Sequence, residues 1–326
     1  MKVLSLFSGI GAFEKALERL GVDVELVGFS EIDKYAVKSY CAIHNVSESM
    51  NLGDITKIKE KALPRDIDLI TYGFPCQDIS VAGKQKGLFN EGGSLTRSGL
   101  FFEALRIIEE TKPKVAIAEN VKNLASKKFN AQFQVVLASL TAAGYNNYYA
   151  VLNAKHYGVP QNRERVIIVS IRKDIDNGIF KFPEPVPLEK RLKDVLEEVV
   201  DEKYYAIKRC VRINFEREKH LIEISDKSIY QCKCDGGYQD NKVGITLSPT
   251  LRSGNNNTFV FTGTRIRRLT PNEWFRLMGF DDESFRKAEA VNSNSQLYKQ
   301  AGNSIVVDVL EAIFRQMLDE NGNFII

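Results

Sequence analysis

Short apolar runs alternate with helical patterns along roughly the first half of the chain. Residues 3–7 form an apolar run typical of a buried strand, and Gly9 and Gly11 interrupt it. Apolar residues then recur at helical spacing from Phe13 to Leu20, and Gly21 ends the pattern. The pattern predicts a strand followed by a helix, the repeat from which α/β folds are built.

The same alternation continues towards residue 175. Strand patterns lie at 26–29, 67–72, 115–118, and near 147–153 and 166–171; helical patterns lie near 33–44, 100–110 and 129–143. Strands joined through helices pair in parallel. The predicted fold class is therefore α/β, with a doubly wound, mostly parallel, Rossmann-like sheet.

The pattern changes beyond residue 175. Prolines at 183, 185 and 187 interrupt regular structure, and residues 188–262 mix charge-rich helical patterns with short strand patterns such as 258–261. Thr270-Pro271 then opens a helix with an N-cap and a first-turn proline, and a last helix follows Ser304. We expect three segments: a first domain at 1–175, a smaller irregular domain at 176–265, and a return to the first domain at 266–326.

Composition excludes several classes of protein. The chain has 326 residues, of which 44% are hydrophobic and 27% charged, as in ordinary globular proteins and unlike disordered or collagen-like chains. No apolar run approaches the length of a membrane span, so we expect a cytoplasmic protein without membrane contact. Five cysteines, an odd number, favour reduced thiols. The scattered histidines and the Cys232-Lys233-Cys234 pair lack zinc spacing, so no metal is expected.

Two segments near strand ends are candidates for binding a polar cofactor. Residues 7–12 lie where the first strand meets the first helix, where backbone amides and the helix dipole can receive a polar ligand. Glu31 ends the second strand, where doubly wound folds place the acid that binds ribose hydroxyls. By themselves these residues also fit a tight turn and a solvated acid.

The sequence Gly73-Phe74-Pro75-Cys76-Gln77 presents a thiol just past a strand, where open α/β sheets bind ligands. A cysteine thiolate is a strong nucleophile, although most free cysteines are small buried hydrophobic residues. Glu119 has the same placement at the end of the next strand and could hold a proton near neutral pH. Arg163 and Arg165 would share one face of a strand, and arginine suits phosphates and planar polar groups.

These motifs together resemble those of the cytosine-C5 DNA methyltransferases, the bacterial or phage modification enzymes. The resemblance runs through nearly the whole chain in the order of the family. Its motifs are Phe-Ser-Gly-Ile-Gly at 7–11, Glu31, Gly53-Asp54-Ile55, Gly-Phe-Pro-Cys-Gln at 73–77, Arg-Ser-Gly-Leu at 97–100, Glu-Asn-Val at 119–121, Gln-Asn-Arg-Glu-Arg at 161–165, the stretch from Arg268 to Phe280, and Gln-Ala-Gly-Asn-Ser at 300–304.

The resemblance implies S-adenosyl-L-methionine as cofactor, with S-adenosyl-L-homocysteine as product. Glu31 would bind the ribose hydroxyls and Asp54 the adenine amino group. The methionine part would contact Phe7, Ser8, Gly9, Ile10, Gly11, Asn303 and Ser304, and the adenine ring would lie among Ile32, Ile55, Pro75 and Leu100. This chain has Ser5, Ser8 and Ala12 where the family more often has Asp, Ala and Gly.

The resemblance also implies a mechanism, which the chemistry of cytosine supports. C5 of cytosine is a poor nucleophile, so Cys76 would add to C6 and form a covalent intermediate. Glu119 would act as an acid at N3, while Arg163 and Arg165 would steady the base carbonyl, the thiolate and nearby phosphate. A cytosine inside a duplex cannot offer C6 to a thiol, so base flipping is required.

A specific double-stranded DNA sequence is the expected substrate, read by a target-recognition domain at 176–265. The glycine-rich segment 80–99 would close on the DNA as a mobile loop. Of two Thr-Leu pairs, Thr246-Leu247 and Thr250-Leu251, we favour the second. The expected DNA-binding residues are Gln77, Ser80, Lys84, Arg97, Gln161, Tyr238, Gln239, Thr250 and Arg252.

Three other functions stay open at this point. The same scaffold could modify cytosine in RNA, or the chain could be a catalytically inactive DNA-binding regulator, although binding alone requires no thiol. A cysteine hydrolase would need a histidine near Cys76, for which His156 is the candidate. We expect a monomer whose functional counterpart could be a cognate restriction endonuclease.

Overall fold

The computed structural model describes residues 1–76, 78–79, 87–88, 96–205, 229–231, 248–251, 258–261 and 266–326. The chain divides into two compact units. The first comprises Met1–Asn153, Glu164–Glu184 and Val309–Ile326, and the second comprises Ala154–Arg163 and Pro185–Asp308. Among the described residues, no helix has both the length and the apolar character to cross a membrane.

A six-stranded sheet forms the centre of the first unit. Its strands are β1 (Lys2–Leu6), β2 (Glu25–Ser30), β3 (Leu69–Tyr72), β4 (Val115–Val121), β5 (Tyr145–Asn153) and β7 (Glu164–Arg172), in the spatial order β2-β1-β3-β4-β7-β5. The pairs β1·β2, β1·β3 and β3·β4 are parallel, whereas β7 is antiparallel to both of its neighbours. The sheet is therefore mostly parallel, as the alternation of strand and helix patterns predicted.

The central strands are buried on both faces. Leu4 and Ile70 pack into the core cluster on one face, while Val3 and Leu69, which alternate with them, are also fully buried. Parallel sheets are normally covered on both sides, which explains why these strands are continuous apolar runs. The arrangement fits the predicted doubly wound fold.

Four helices follow the strands of the first unit. They are α1 (Ala12–Arg19), α2 (Lys34–His44), α3 (Phe101–Thr111) and α4 (Asn130–Ala142). Asp33 caps α2 by accepting from the Tyr35 amide, and residues of α3 and α4 fill the core cluster beside β1 and β3. The helices lie where the helical periodicity predicted them, and they leave the carboxyl ends of β1, β2, β3 and β4 to the connecting loops.

The described residues of the second unit form short strands and three helices. Its strands are β6 (Gln161–Asn162), β8 (Ile229–Gln231), β9 (Ser248–Pro249), β10 (Thr258–Phe261) and β11 (Ile266–Arg268); its helices are α5 (Pro271–Leu277), α6 (Asp282–Glu289) and α7 (Asn294–Asn303). β10 pairs with β8 and β11, and β6 pairs with β9. Thr270 and Glu273 form the capping box that begins α5, which confirms the predicted start of this helix.

The compact units group the chain differently from the three predicted segments. Residues 154–163 pack with the second unit, and so does most of the C-terminal segment, up to Asp308. The last helix, α8 (Val307–Arg315), spans the boundary at residue 308. The assignment of 1–175, 176–265 and 266–326 to catalysis, recognition and return stays a prediction, because packing alone does not assign function.

Candidate active site

The loop after β1 has an unusual backbone. Phe7, Gly9 and Gly11 have φ angles of 52°, 57° and 78°. Left-handed backbone suits glycine but is uncommon for a residue such as phenylalanine. Ser8 donates its amide to the Ser30 carbonyl at 3.1 Å, and Gly11 donates to the Ser8 carbonyl at 3.0 Å. These bonds hold the loop as a tight turn against the end of β2.

Glu31 lies directly after β2 and is tied to the same loop. Its Oε2 accepts from the Gly9 amide at 2.9 Å, and its Oε1 accepts from the amides of Ile32 and Asp33 at 2.8 Å each. Burial raises the pKa of Glu31, while the three amides oppose that rise. A carboxylate has about four acceptor positions, so one remains for a ligand hydroxyl.

Asn51 connects Glu31 with the Gly53-Asp54 turn, and the sequence analysis did not identify it. Its side-chain oxygen accepts from the amides of Glu31 and Gly53, and its amide group donates to the Glu31 carbonyl. Asp54 accepts from the amide and hydroxyl of Thr56, and these bonds lower the pKa of Asp54. Asn51 therefore joins the two acids that the resemblance assigned to the cofactor.

The residues expected around an adenine ring differ in exposure. The Ile32 side chain is 78% exposed, which is high for an isoleucine, whereas Ile55 is only 3% exposed and belongs to the core cluster. Pro75 and Leu100 are half-buried. Ile32 can therefore offer apolar surface to a ligand, and Ile55 can do so only with a rearrangement of its packing.

The loop also contains a buried hydroxyl that suggests a ligand. Ser8 Oγ is buried, and it has no hydrogen-bond partner within the part of the chain that the structure describes. A Cβ added at Gly9 would meet no described atom within 4 Å. An unsatisfied buried hydroxyl beside open space is what a polar ligand would relieve. The loop, Glu31 and Ile32 together fit a cofactor that has polar and apolar parts.

Cys76 lies beyond the carboxyl end of β3, in the loop that begins at Gly73. The thiol is half-buried. Asn120 of β4 donates its side-chain amide to the Phe74 carbonyl at 3.0 Å and so holds this loop to the neighbouring strand. The register pairs Tyr72 with Ala118, so the strand ends that carry Cys76 and Glu119 are adjacent.

Glu119 and Arg165 form an ion pair across the antiparallel strands β4 and β7. The distance from Arg165 Nε to Glu119 Oε1 is 2.8 Å, and the two side chains are only 18% and 12% exposed. The register pairs Val121 with Arg165, which makes Glu119 its diagonal neighbour on the same face. The geometry gives a charge-assisted pair at the strand end beside the Cys76 loop.

Asp78 joins the Cys76 loop to the segment before α3. Its amide donates to Ser98 Oγ at 3.3 Å, and its Oδ2 accepts from the Arg97 amide at 3.2 Å. The Arg97 side chain is exposed. An exposed arginine anchored through its backbone to this loop is well suited to contact a phosphate.

The Gln161 and Arg163 side chains are buried within the second unit. Gln161 donates to the Leu277 carbonyl at 2.7 Å and accepts from the Leu251 amide at 3.3 Å. Arg163 donates to the carbonyls of Leu251, Gly302 and Ser304, at 2.9, 3.2 and 2.6 Å. The predicted DNA contact of Gln161 would require its side chain to leave these backbone bonds.

The two arginines of the Gln-Asn-Arg-Glu-Arg motif are in different environments. The expected strand alternation does not extend through Arg163, because β7 begins at Glu164. Arg165 pairs with Glu119 in the first unit, whereas Arg163 binds main-chain carbonyls in the second. The direct contact of Arg163 with the base stays a prediction.

Some of the remaining predicted residues lie within the described part of the chain, and others do not. Thr250 donates its hydroxyl to the Asn162 carbonyl at 2.7 Å, and Asn303 and Ser304 lie at the end of α7 in the second unit. Six predicted DNA-binding residues and the alternative Thr-Leu pair lie outside the described residues: Gln77, Ser80, Lys84, Tyr238, Gln239, Arg252 and Thr246-Leu247. In the described ranges, no group of three His, Cys, Asp or Glu residues is placed to hold a metal ion.

The sheet and its reversed strand β7 define a Rossmann-like α/β protein, and the candidate site lies at the carboxyl edge of this sheet. The chain matches the C-5 cytosine-specific DNA methylase family over residues 1–319, and it belongs to that family. It is therefore a cytosine-C5 DNA methyltransferase, as the resemblance implied.

Similar proteins come from bacteria and phages. The orphan methyltransferase M.SPBetaI of Bacillus phage SPbeta is 35% identical over 98% of this chain and 97% of that protein. The type II methyltransferase M.Bsp6I of Bacillus sp. (strain RFL6) is 38% identical, covering 98% of this chain and 100% of the relative. The type II methyltransferase M.HhaI of Haemophilus parahaemolyticus is 36% identical over 96% and 93%.

Solved structures share the fold at lower identity. The Dnmt2 methyltransferase of S. pombe superimposes with a TM-score of 0.66 at 22% identity, covering 96% of each chain. The methyltransferase EhMeth of Entamoeba histolytica gives a TM-score of 0.68 at 17% identity, covering 97% of each chain. These likenesses confirm the predicted fold class.

Proposed function

We propose that the chain methylates C5 of a flipped-out cytosine in a specific double-stranded DNA sequence, with S-adenosylmethionine as donor and a covalent bond between Cys76 and C6. The observation that carries the proposal is the arrangement at the carboxyl edge of the sheet. There the Cys76 loop, held by Asn120, lies beside the strand end that carries the Glu119–Arg165 pair.

The loop after β1, residues 7–12, fits S-adenosylmethionine, and we name it the cofactor loop for this proposed role. Glu31 has an acceptor position for a ribose hydroxyl, and Ile32 offers exposed apolar surface for adenine. Ser8 Oγ is a buried hydroxyl that a ligand could satisfy. When bound, S-adenosylmethionine supplies an electrophilic methyl group on its sulfonium. We propose that Phe7, Gly9, Ile10, Gly11, Asp54, Pro75 and Leu100 complete this site and that Asn303 and Ser304 contribute to it.

Cys76 supplies the nucleophile. Its thiolate forms a bond to C6, and the electrons of the C5–C6 double bond make C5 nucleophilic towards the methyl group. After C5 is methylated, a base removes the C5 proton and the Cys76 thiolate leaves, which restores the double bond. The loop beyond β3 suits this role because it presents the thiol at the strand ends and leaves it partly exposed.

Glu119 and Arg165 stabilise the charge that addition places in the ring. Glu119 faces N3 and the exocyclic amine, and in the acid form it transfers its carboxyl proton to N3, which offsets the negative charge and leaves the carboxylate paired with Arg165. Arg165 pairs with Glu119 at 2.8 Å and provides a fixed cation for the base carbonyl. Because both side chains are largely shielded from water, their electrostatic effect on a bound base is stronger than it would be at the surface.

Three described residues outside the Cys76–Glu119–Arg165 group contribute to the proposed DNA complex. Arg97 is exposed and available to a phosphate, and Thr250 belongs to the preferred Thr-Leu pair. Arg163 supports this function by holding Leu251 next to that threonine. Because the phosphate backbone supplies much of the binding energy, DNA affinity should fall steeply with salt concentration.

The proposal is tested with tritiated S-adenosylmethionine and unmethylated bacterial genomic DNA, which contains many target sequences. We expect label at C5 of cytosine. With duplex containing 5-fluorocytosine at the mapped site, fluorine replaces the proton that must leave, so a covalent complex should accumulate. No transfer to genomic DNA, or transfer to tRNA in preference to duplex DNA in a competition assay, would contradict the proposal.

A matched pair of cysteine variants tests the nucleophile. Cys76→Ala should abolish both methyl transfer and the covalent complex, because no thiolate remains at the strand ends. Cys41→Ala removes the other cysteine of the described residues, which lies on α2, and should retain both methyl transfer and the covalent complex. A covalent complex that persists in Cys76→Ala would exclude Cys76 as the nucleophile.

A further inference from the structure

His44 is the last residue of α2 and lies beneath the loop that follows β1. Its Nε2 is 3.0 Å from the carbonyl oxygen of Ile10. Ile10 as a whole residue is 2% exposed, so this segment of the loop is buried. A buried carbonyl that lost its donor would be left without its hydrogen bond, which is costly. The contact therefore fixes the loop between Gly9 and Gly11.

The Ile10 carbonyl determines which nitrogen of the His44 imidazole carries the proton. A carbonyl oxygen only accepts, so Nε2 must carry the proton that forms the bond. Burial lowers the pKa of His44, although Glu14 opposes this shift. At neutral pH the ring is therefore neutral, with its proton on Nε2 and a lone pair on Nδ1.

A stack of rings holds the imidazole in place. Phe29 of β2 stacks on Tyr40 with ring centroids 4.0 Å apart, and Tyr40 lies against His44 at 4.7 Å. Tyr40 is fully buried, and burial together with the neighbouring Glu14 raises its pKa. The stack connects the end of β2, next to Glu31, with the underside of the loop after β1.

The loop approaches this stack as closely as glycine allows. A Cβ added at Gly11 would overlap His44 Nε2, and it would lie 2.7 Å from His44 Cδ2 and 2.9 Å from Tyr40 Cε2. At Gly9 the same addition would meet no atom of the described residues within 4 Å. The loop therefore has one side packed on the imidazole and the other side open.

We propose that His44 is a positioning residue for cofactor binding, because its Nε2–H holds the Ile10 carbonyl and so keeps the open side of the loop in shape for S-adenosylmethionine. The inference rests on the proposed function, since it concerns the same cofactor. His44 does not touch the reacting atoms. Its loss should weaken cofactor affinity without changing the chemical step at saturation.

The test compares His44→Leu with His44→Gln. Both side chains are close to histidine in volume, but only glutamine can place an amide donor where Nε2 lies. Binding of S-adenosyl-L-homocysteine to the full chain is measured by titration calorimetry. Methyl transfer gives kcat and the KM for S-adenosylmethionine.

We expect His44→Leu to raise the Kd for S-adenosyl-L-homocysteine and the KM for S-adenosylmethionine about tenfold. His44→Gln should stay within about threefold of the unmodified chain, and kcat at saturating cofactor should be unchanged in both variants. Equal affinities in the two variants, or a lower kcat with unchanged KM, would refute the positioning role.

A second pair of variants, His44→Asn and His44→Gln, tests the same role if His44→Leu does not fold. Asparagine is too short to reach the Ile10 carbonyl, so His44→Asn should bind S-adenosyl-L-homocysteine more weakly than His44→Gln, and equal binding would refute the role. If the unmodified chain binds no S-adenosyl-L-homocysteine, the proposed function fails and the inference fails with it. Binding to the unmodified chain with equal losses in the paired variants overturns the inference alone.

Discussion

The two left-handed glycines of the cofactor loop should respond differently to the same substitution. Gly9 and Gly11 both have positive φ, at 57° and 78°, so an alanine at either position incurs the cost of left-handed backbone. That cost is about 1–2 kcal/mol. Because both changes are Gly→Ala, their effects on the entropy of the unfolded chain are nearly the same and cancel in the comparison.

The atoms around each glycine should make the two substitutions differ in their cost to stability. Gly9→Ala adds a methyl group that meets no described atom within 4 Å, so it should cost only the backbone term. Gly11→Ala overlaps the His44 ring and approaches Tyr40 Cε2 to 2.9 Å. Overpacking of this kind adds about 1–3 kcal/mol. The expected totals are about 1–2 kcal/mol for Gly9→Ala and about 2–5 kcal/mol for Gly11→Ala.

Urea unfolding without ligand measures this difference. Unfolding is followed by circular dichroism for both variants and the unmodified chain, and the midpoints are compared at equal slope. Gly11→Ala should have the lowest midpoint, and Gly9→Ala should lie between it and the unmodified chain. Equal midpoints for the two variants would refute the close packing of the loop on His44.

Three further substitutions and one control variant test the candidate catalytic acid and two buried arginines. Glu119→Gln should lower kcat about 10²–10⁴-fold because glutamine cannot donate a proton at N3, while the DNA Kd in a filter-binding assay stays within about threefold. Arg267→Ala should lower the free energy of unfolding in urea by about 3–5 kcal/mol, because it leaves the fully buried Glu273 without its cation. Lys287→Ala removes the partly exposed partner of Glu283 and should cost less than about 1 kcal/mol. Equal losses in the two variants would contradict this reasoning. Arg163→Lys should lower stability by about 1–3 kcal/mol, because one ammonium group cannot reproduce the bonds to three carbonyls, and an unchanged urea midpoint would argue against that support.

Local patterns were sufficient to predict the strands and helices of the first unit. The apolar run at 67–72 became β3 at Leu69–Tyr72, and the helical pattern near 33–44 became α2 at Lys34–His44. Thr270, Pro271 and Glu273 carry the whole signal for the start of α5 within four residues. Such features depend on neighbours in sequence, so a single sequence is enough to read them.

The supporting contacts could not be predicted in this way. Arg163 bonds to carbonyls 88 and 141 residues away, and carbonyls are present at every residue whatever the side chain. Asn51 and His44 show no periodicity or spacing that marks them as partners of the cofactor loop. Motifs therefore indicated where the candidate site lies, whereas the groups that hold those motifs depend on tertiary packing.

The left-handed backbone at Phe7 limits how the protein can be stabilised. The other positive-φ residues besides glycine in the described chain, Asn45 and Lys112, end helices, where this conformation is common. Phe7 ends no helix and lies in the cofactor loop, with its side chain packed against the core. Replacement by glycine would remove the strain of the left-handed backbone. It would also lose that packing and raise the conformational entropy of the unfolded chain. Engineering for thermostability should therefore leave Phe7 unchanged and seek its gains elsewhere, because the one residue that relaxes this backbone also removes the packing of the side chain.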